Sequence, residues 1–289
     1  MSGAVRQLLA GGRWHFQHGP IDCIVHAEGE TGAAAQCIER AWRRFGSVLD
    51  ELSVELPALR SDLSAVRVAV TGGIARRMVA ACRPHAAEGR FITAMAAVAG
   101  SVAEELIAAF DDRRITRAYV NNGGDIALHL IDGAVFDIGV ATDLARSRSG
   151  AEPECAFGID ASSSVRGIAT SGWRGRSFSL GIADSVTVLA ASASVADAAA
   201  TIVANAVDVD DVRIVRARAS AVRDDSDLGD RLVVRHVPPL AEPLVRLALA
   251  RGAAQAEAQI AAGRIMAAVL ALQGQRRVCG DVRAALALA

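Results

Sequence analysis

Two oxygen-bearing side chains in the second half of the chain have a spacing that suits a cation. Asp197 and Thr201 fall in a segment that is typical of a helix, opened by Ser192 and Ser194. Because a helix turns every 3.6 residues, the carboxylate and the hydroxyl project from one face, about one turn apart. Mg²⁺ takes oxygen ligands, usually including one or two protein carboxylates, and completes its shell with water and substrate phosphates. The pattern therefore offers part of a magnesium site.

The same residues also have a plain structural interpretation. Ser194 and Asp197 have the spacing of a capping box, with Asp in the place usually taken by Glu or Gln. An acidic residue in a first helical turn is also favoured by the helix dipole. Thr201 can instead bond back to a backbone carbonyl. Spacing alone favours the helix cap, because an Asp/Thr pair at i, i+4 is not a specific metal signature.

A second polar cluster, N-N-G-G-D, separates two apolar runs and predicts a β-hairpin. Gly123 and Gly124 would let a ligand approach the backbone closely. Asn122 and Asp125 offer an amide and a carboxylate to a base or a ribose. A plain hairpin turn is the alternative.

A glycine-punctuated loop further along the chain carries two guanidinium groups. Arg174 and Arg176 could clamp a phosphate or carboxylate bidentately, and a solvated surface loop is equally consistent with the sequence. Asp184 offers either a second carboxylate near a cation or a turn residue before the strand at Val186. These three residues are the catalytic candidates.

Composition indicates an ordinary globular protein and removes several mechanisms. The 289 residues have a formal net charge of -1, 52% hydrophobic residues and 22% charged residues. Near-neutral charge gives no electrostatic footprint for nucleic acid or an anionic membrane. All 31 basic residues are Arg. The absence of Lys excludes a Schiff base, a pyridoxal phosphate anchor and a P-loop.

Cysteine usage and the N-terminal residues predict a cytoplasmic protein. The five cysteines are odd in number and lack a C-x-x-C pair, which argues against a disulfide framework or a thiolate zinc site. The N-terminal residues lack the apolar core of a signal peptide, and no uncharged run reaches the length of a membrane span. We therefore expect no membrane partner.

Periodicity and turn signals predict the elements that would position these groups. The predicted elements are two strands over 13–27 broken at His18-Gly19-Pro20, a helix from Glu30 to about Leu52, a helix within 61–83, a helix over 91–110, strands over 212–218 and 231–236, and a C-terminal helix over 244–272. The last of these is rich in Ala, and we expect it to pack on the body of the protein or on a second subunit of a homo-oligomer.

Four motifs occur in an order that resembles the ApbE superfamily. They are N-N-G-G-D-I at 121–126, A-T-S-G at 169–172, S-V-T-V at 185–188 and A-D-A-A-A-T at 196–201. That superfamily contains Mg²⁺-dependent FAD:protein FMN transferases, which split FAD and attach FMN through a phosphoester to Ser or Thr of a target protein. The similarity extends from about Arg13 to Gln273 and is closest to a bacterial and archaeal branch that lacks the transferase motif H-x-x-D-P-x-T-G.

The resemblance implies a fold. We expect an α+β protein with mixed or antiparallel sheets flanked by helices, forming one domain over 1–289. Its core would cover about 13–236, and a C-terminal helical extension would cover about 242–273.

The resemblance also implies roles for individual residues and reverses the preference for a helix cap. Asp197 and Thr201 would ligate Mg²⁺, aided by the carbonyl of Ala97 or Ala99. The loop beside the dinucleotide would be formed by Asn122, Gly123, Gly124 and Asp125. The turn near the flavin or phosphate would be formed by Thr170, Ser171 and Gly172.

The chain departs from the superfamily pattern in the motifs that carry the transferase chemistry. The transferase motif K-G-Y-x-x-D is replaced by A-G-S-V-A-E at 99–104, and residues 176–184 hold neither the transferase His nor D-P-x-T-G. We expect a Mg²⁺-dependent protein that binds FAD, FMN or a related nucleotide and cleaves or transfers at a phosphate. The alternatives are a non-catalytic binder of a flavin or phosphorylated cofactor, and a true FMN transferase with altered catalytic groups that acts on a flavoprotein acceptor.

Overall fold

The computed structural model describes residues 3–131, 133–140 and 155–280. The α-helices are α1 Thr31–Leu59, α2 Gly73–Ala87, α3 Val98–Ile107, α4 Ala193–Ala206, α5 Ala219–Val222 and α6 Glu242–Ala261. The strands are β1 Val5–Leu8, β2 Trp14–His18, β3 Ile21–Gly29, β4 Ile115–Asn122, β5 Asp125–Leu130, β6 Val135–Val140, β7 Cys155–Asp160, β8 Gly167–Ser171, β9 Ser185–Ala190, β10 Val215–Arg218, β11 Leu232–His236, β12 Ala267–Leu272 and β13 Gln275–Gly280. The α+β class predicted from the sequence is confirmed.

The chain divides into two compact units. The first contains the described residues of Met1–Phe136, Ile159–Ala169 and Ala190–Ala198. The second contains those of Asp137–Gly158, Thr170–Leu189 and Ala199–Ala289. Among the described helices, none is long and apolar enough to cross a membrane.

The first unit is built on antiparallel strands paired in the order β1-β2-β3-β4-β5-β8. Fully buried Phe16 of β2 meets fully buried Phe45 of α1 at 5.5 Å between ring centroids. The strands on either side of Gly19 form the hairpin that the sequence predicts. Alternating burial along β3 turns Cys23 and Val25 into the core, as expected for a strand with one covered face.

Helix α1 is longer than predicted. The sequence predicts an end near Leu52, but the helix continues through Pro57 to Leu59. Proline costs the helix the one hydrogen bond that its missing N–H would make. Leu59 is fully buried, and the burial of this side chain favours keeping the last turn helical.

The helix predicted over 91–110 is not continuous. A short 3-10 helix, Ala94–Ala97, precedes α3, and Ala97 has non-helical dihedrals of φ -127° and ψ 15°. A second 3-10 turn, Ala108–Phe110, follows α3. The interruption at Ala97 creates a new helix N-terminus in the middle of the predicted segment, with backbone amides that need acceptors.

The second unit contains strands paired in the order β9-β12-β13 and a separate pair, β10-β11. The predicted C-terminal helix over 244–272 is wrong in its last part, because Ala267–Leu272 forms β12 with every residue buried. A short, wholly apolar run is equally compatible with a buried helix segment or a buried strand, so periodicity could not separate them. Gly263, at φ +68°, lies in the connection between α6 and β12.

Candidate functional site

The N-N-G-G-D segment forms a tight two-residue hairpin turn between β4 and β5. Asn122 pairs with Asp125, and Gly123 and Gly124 occupy the turn with φ values of 69° and 117°. Two-residue hairpin loops favour positive φ at their central residues, so the turn itself requires glycine here. The turn is further fixed because the Gly124 amide donates to Oδ1 of Asn121 at 2.8 Å.

The amide side chain of Asn122 joins this hairpin to the start of α3. Asn122 is buried, and its Nδ2 donates to the backbone oxygen of Ala99 at 3.1 Å. A buried amide must be paired to offset its desolvation. The hydrogen bond therefore fixes the β4-β5 hairpin relative to the start of α3.

Asp197 caps α3 from another helix. Its Oδ2 accepts a hydrogen bond from the Gly100 amide at 2.9 Å, and the Ala99 amide also bonds to the carboxylate. These are the second and third residues of α3, the positions whose amides a helix N-cap normally satisfies. Asp197 thus supplies the acceptor that Ala97, which precedes α3, cannot provide.

The capping box expected for Ser194 and Asp197 is wrong. The Ser194 amide donates to Oε2 of Glu104 at 3.1 Å. The first turn of α4 is capped by Ser192, whose Oγ accepts from the Val195 amide at 3.4 Å. The Asp197 carboxylate therefore does not cap its own helix, α4.

Burial and a second carboxyl group both affect the ionisation of Asp197. Burial raises its pKa well above the ordinary value, and the nearby charge of Asp125 raises it further, against the opposing effect of the Gly100 and Ala99 amides. Burial, reinforced by the charge of Asp197, likewise raises the pKa of the Cys82 thiol. The ionised form of Asp197 is therefore disfavoured, and a nearby positive charge would reduce that cost.

The described residues contain no group of three His, Cys, Asp or Glu side chains placed to hold a metal ion together. A magnesium ion commonly has only one or two protein carboxylates among its ligands. Asp197, Asp125, Asn122 and Ala99 all lie in the first unit, where Ala99 is bonded to both Asn122 and Asp197.

The remaining sequence-predicted residues lie in the second unit. They are Thr170, Ser171, Gly172, Arg174, Arg176, Asp184 and Thr201. Oγ1 of Thr170 lies 2.9 Å from Oγ1 of Thr187. A Cβ on Gly172 would lie 2.5 Å from the backbone oxygen of Asp184, so glycine is needed here for close backbone packing. Thr201 is partly exposed, four residues beyond Asp197 on α4.

Asp184 ties its loop to neighbouring groups. Its Oδ1 lies 2.9 Å from Nε of Arg174 and accepts from Nε1 of Trp173, while its Oδ2 accepts from the Gln273 amide. The Arg174 guanidinium also lies over the Trp173 ring, 5.3 Å from its centroid. Arg176 is exposed. The structure thus pairs Arg174 with Asp184 and leaves Arg176 at the surface.

Sequence reasoning missed the charged residues that connect α3 with α1, α2 and α4. Glu104 contacts Ser194 and lies 3.1 Å from Nε of Arg77. Arg77 also donates to Glu105 at 2.8 Å, and Glu105 accepts from Arg44 at 2.7 Å. One feature of the sequence could have identified them, because Glu104 and Glu105 are the only charged residues within 91–110.

We expect these ion pairs to make the free energy of unfolding depend on pH in the acid range. Burial alone would raise the pKa of Glu105, but hydrogen bonds from Arg44 and Arg77 outweigh it and hold the pKa below its ordinary value of 4.5. A lowered pKa stabilises the fold at pH values above 4.5, and that stabilisation is lost as the pH falls further. We expect the free energy of unfolding, measured by urea titration, to fall less steeply below pH 4.5 in Glu105→Gln than in the wild type. Equal slopes in both proteins would contradict this.

Comparison with known proteins decides the family. A family model described as "AbpE bacteria" matches residues 6–278. The chain belongs to this family. Its membership of the ApbE-like superfamily, predicted from four motifs, is thereby confirmed.

Relatives of this AbpE family member occur in archaea. A UPF0280 protein of Methanospirillum hungatei is 32% identical over 200 residues, covering 69% of this chain and 77% of that protein. A UPF0280 protein of Methanopyrus kandleri is 38% identical over 159 residues, covering 54% of this chain and 61% of that protein. The chain therefore spans somewhat under two thirds of the second relative.

The chain is similar in fold to a solved structure. The ApbE protein of Thermotoga maritima matches 99% of this chain and 99% of its own, with a TM-score of 0.52 at 13% identity. The flavin transferase ApbE of Vibrio cholerae matches 98% of this chain and 100% of its own, with a TM-score of 0.44 at 13% identity. The similarity to the Thermotoga structure supports the ApbE fold for this AbpE family member.

Proposed function

We propose that this chain is a Mg²⁺-dependent flavin- or nucleotide-binding protein that acts at a phosphate of its ligand. One observation carries the proposal. The Asp197 carboxylate accepts hydrogen bonds from the second and third amides of α3, and the charge of Asp125 acts on it. Asn122 is bonded to Ala99, one of these two residues. These are the residues to which the superfamily resemblance assigns the metal and the dinucleotide.

The donor set fits a hard divalent cation. Asp197, Thr201 and the Ala99 carbonyl are the proposed ligands, and all three present oxygen. The Ala99 oxygen accepts from Asn122 but retains a second lone pair. Burial and Asp125 penalise the ionised form of Asp197, and a bound cation would offset that penalty. When bound, Mg²⁺ would neutralise the charge that develops on phosphate oxygens.

The residues of the chain would bind and orient the nucleotide. Gly123 is exposed and lacks a side chain, so it admits close approach of a ligand to the hairpin backbone. Asp125 offers a partly exposed carboxylate to a ribose hydroxyl. Arg176 offers an exposed guanidinium to a phosphate, and Arg174, oriented by Asp184, offers a second one. Thr170, Ser171 and Gly172 are proposed to lie near the flavin or phosphate.

A non-catalytic binding protein is the second candidate, and Asp184 favours it. Its carboxylate already meets Trp173, Arg174 and the Gln273 amide, which leaves it poorly placed to act as a base. The segment 176–184 also lacks the His of the transferases. A true FMN transferase with altered catalytic groups is the third candidate.

Incubation with FAD distinguishes the three candidates. The full chain would be mixed with FAD in the presence of Mg²⁺ or a chelator, with and without a flavoprotein acceptor, and the products identified by mass analysis. We expect FMN and AMP to be released only with Mg²⁺. Retention of intact FAD would indicate the binding protein, and covalent FMN on the acceptor would indicate the transferase. Release of products at equal rates with chelator would contradict the proposed magnesium dependence.

A further inference from the structure

Helices α3 and α4 cap each other at their N-termini. The second and third residues of α3, Ala99 and Gly100, donate their amides to Asp197 of α4. In return, Ser194, the second residue of α4, donates both its amide and its Oγ to Oε2 of Glu104 on α3, at 3.1 and 2.7 Å. Each helix thus satisfies donors that the other leaves open, and each carboxylate lies at a positive helix end.

The two helices approach so closely that this exchange is possible. A Cβ on Gly100 would lie only 2.2 Å from the backbone oxygen of Ala193 and 2.9 Å from Cβ of Asp197. Gly100 therefore lies against the first two turns of α4. At this separation, short carboxylate side chains reach the neighbouring backbone directly.

Glu104 is itself oriented by a charged neighbour. Its Oε1 lies 3.1 Å from Nε of Arg77, while its Oε2 takes both Ser194 donors. Arg77 is held in turn by Glu105 at 2.8 Å. Since both oxygens of Glu104 have partners, its side chain is fixed rather than free to follow α4.

We propose that Glu104 is a positioning residue that sets the place of the Asp197 carboxylate. Ser194 and Asp197 are three residues apart and lie on one face of α4, so a tether at Ser194 fixes how Asp197 meets α3. Without the tether, the first turn of α4 loses the acceptor for the Ser194 amide and opens more readily. This inference rests on the proposed function, because it assigns Glu104 a role in the affinity of that site for Mg²⁺.

A pair of neighbouring variants separates this role from general stabilisation. Glu104→Gln weakens the acceptor for Ser194, whereas Glu105→Gln removes the same charge beside the same Arg77 and makes no described contact with α4. Calorimetric titration of Mg²⁺ into the full-length variants measures the affinity. We expect Glu104→Gln to weaken binding about 10-fold or more, as residues that orient a metal ligand commonly do. We expect Glu105→Gln to lose much less affinity than Glu104→Gln, because it keeps both Ser194 contacts of Glu104 and the Arg77–Glu104 ion pair.

Hydrogen exchange of backbone amides, measured without metal, provides an independent test. We expect the Ser194 and Gly100 amides to exchange faster in Glu104→Gln than in Glu105→Gln. Equal losses of Mg²⁺ affinity in both variants, or equal exchange at these amides, would overturn the inference. A wild-type protein that does not bind Mg²⁺ would overturn the proposed function, and the exchange rates would still decide whether Glu104 holds Asp197 in place.

Discussion

Asp197→Asn is expected to weaken Mg²⁺ binding by at least about 100-fold, or about 2.7 kcal/mol. Replacing a residue that only orients a metal ligand already lowers metal affinity about 10–100-fold, and Asp197 is a proposed ligand itself. The substitution removes the charge that attracts the cation while keeping the side-chain volume. Its amide oxygen can still accept from Gly100, so the N-terminus of α3 remains capped and the fold is retained. Calorimetric titration at neutral pH measures the change directly.

Asp50→Asn is the matched control for this experiment. Asp50 is exposed on α1, and its replacement removes the same charge without touching Ala99, Gly100 or Asp125. We expect its Mg²⁺ affinity to match that of the wild type. Equal affinities in the wild type and Asp197→Asn would mean that any bound cation lies elsewhere.

Gly100→Ala is expected to destabilise the fold by about 1–3 kcal/mol, the usual cost of forcing extra atoms into a well-packed region. The new Cβ would lie 2.2 Å from the backbone oxygen of Ala193 and 2.6 Å from its carbonyl carbon. Backbone atoms cannot rotate away as a flexible side chain would, so the start of α4 must move. We also expect Mg²⁺ binding to weaken, because that movement displaces Asp197. Urea denaturation measures the change in stability.

Gly46→Ala makes the same chemical change where there is room for it. Gly46 lies inside α1, and a Cβ there would meet no atom within 4 Å. Alanine favours a helix over glycine by about 0.5–1 kcal/mol, so this variant should be more stable than the wild type. A Gly100→Ala protein as stable as the wild type would show that α3 and α4 are not packed as described.

Local sequence patterns were sufficient to predict the β-hairpins, because the two strands of a hairpin are close together in the sequence. The hairpin of β2 and β3 follows from two apolar runs around Gly19, and the turn at Gly123 and Gly124 follows from a glycine pair between strands. In both cases the partners are a few residues apart, and turn chemistry fixes the register. The superfamily motifs add the expectation that Asn122, Ala99 and Asp197 belong to one site.

The cross-helix contacts could not be predicted from such patterns. Asp197 and Gly100 are 97 residues apart, and Ser194 and Glu104 are 90 residues apart. Spacing assigned Asp197 to a cap on its own helix because only local partners are visible in a sequence. The break before α3 has the same origin, since Ala97 leaves the helical conformation within a run of good helix formers, where propensity gives no warning.

Periodicity failed to identify β12 as a strand for a different reason. Ala267–Leu272 is buried on both faces, so it shows neither alternation nor a helical stripe. Its pairing with β9 and β13 determines its conformation, and those partners are invisible to a periodicity argument.

Calorimetric titration of FAD into the wild-type chain, once with Mg²⁺ and once with a chelator, tests the proposed function most directly. We expect binding with Mg²⁺ that is lost or strongly weakened with the chelator, because the proposed cation at Asp197 would neutralise the charge of the ligand phosphates and the chelator removes it. FAD binding of equal strength in both conditions, or no binding in either, would contradict the assignment of this site as a magnesium-dependent flavin site.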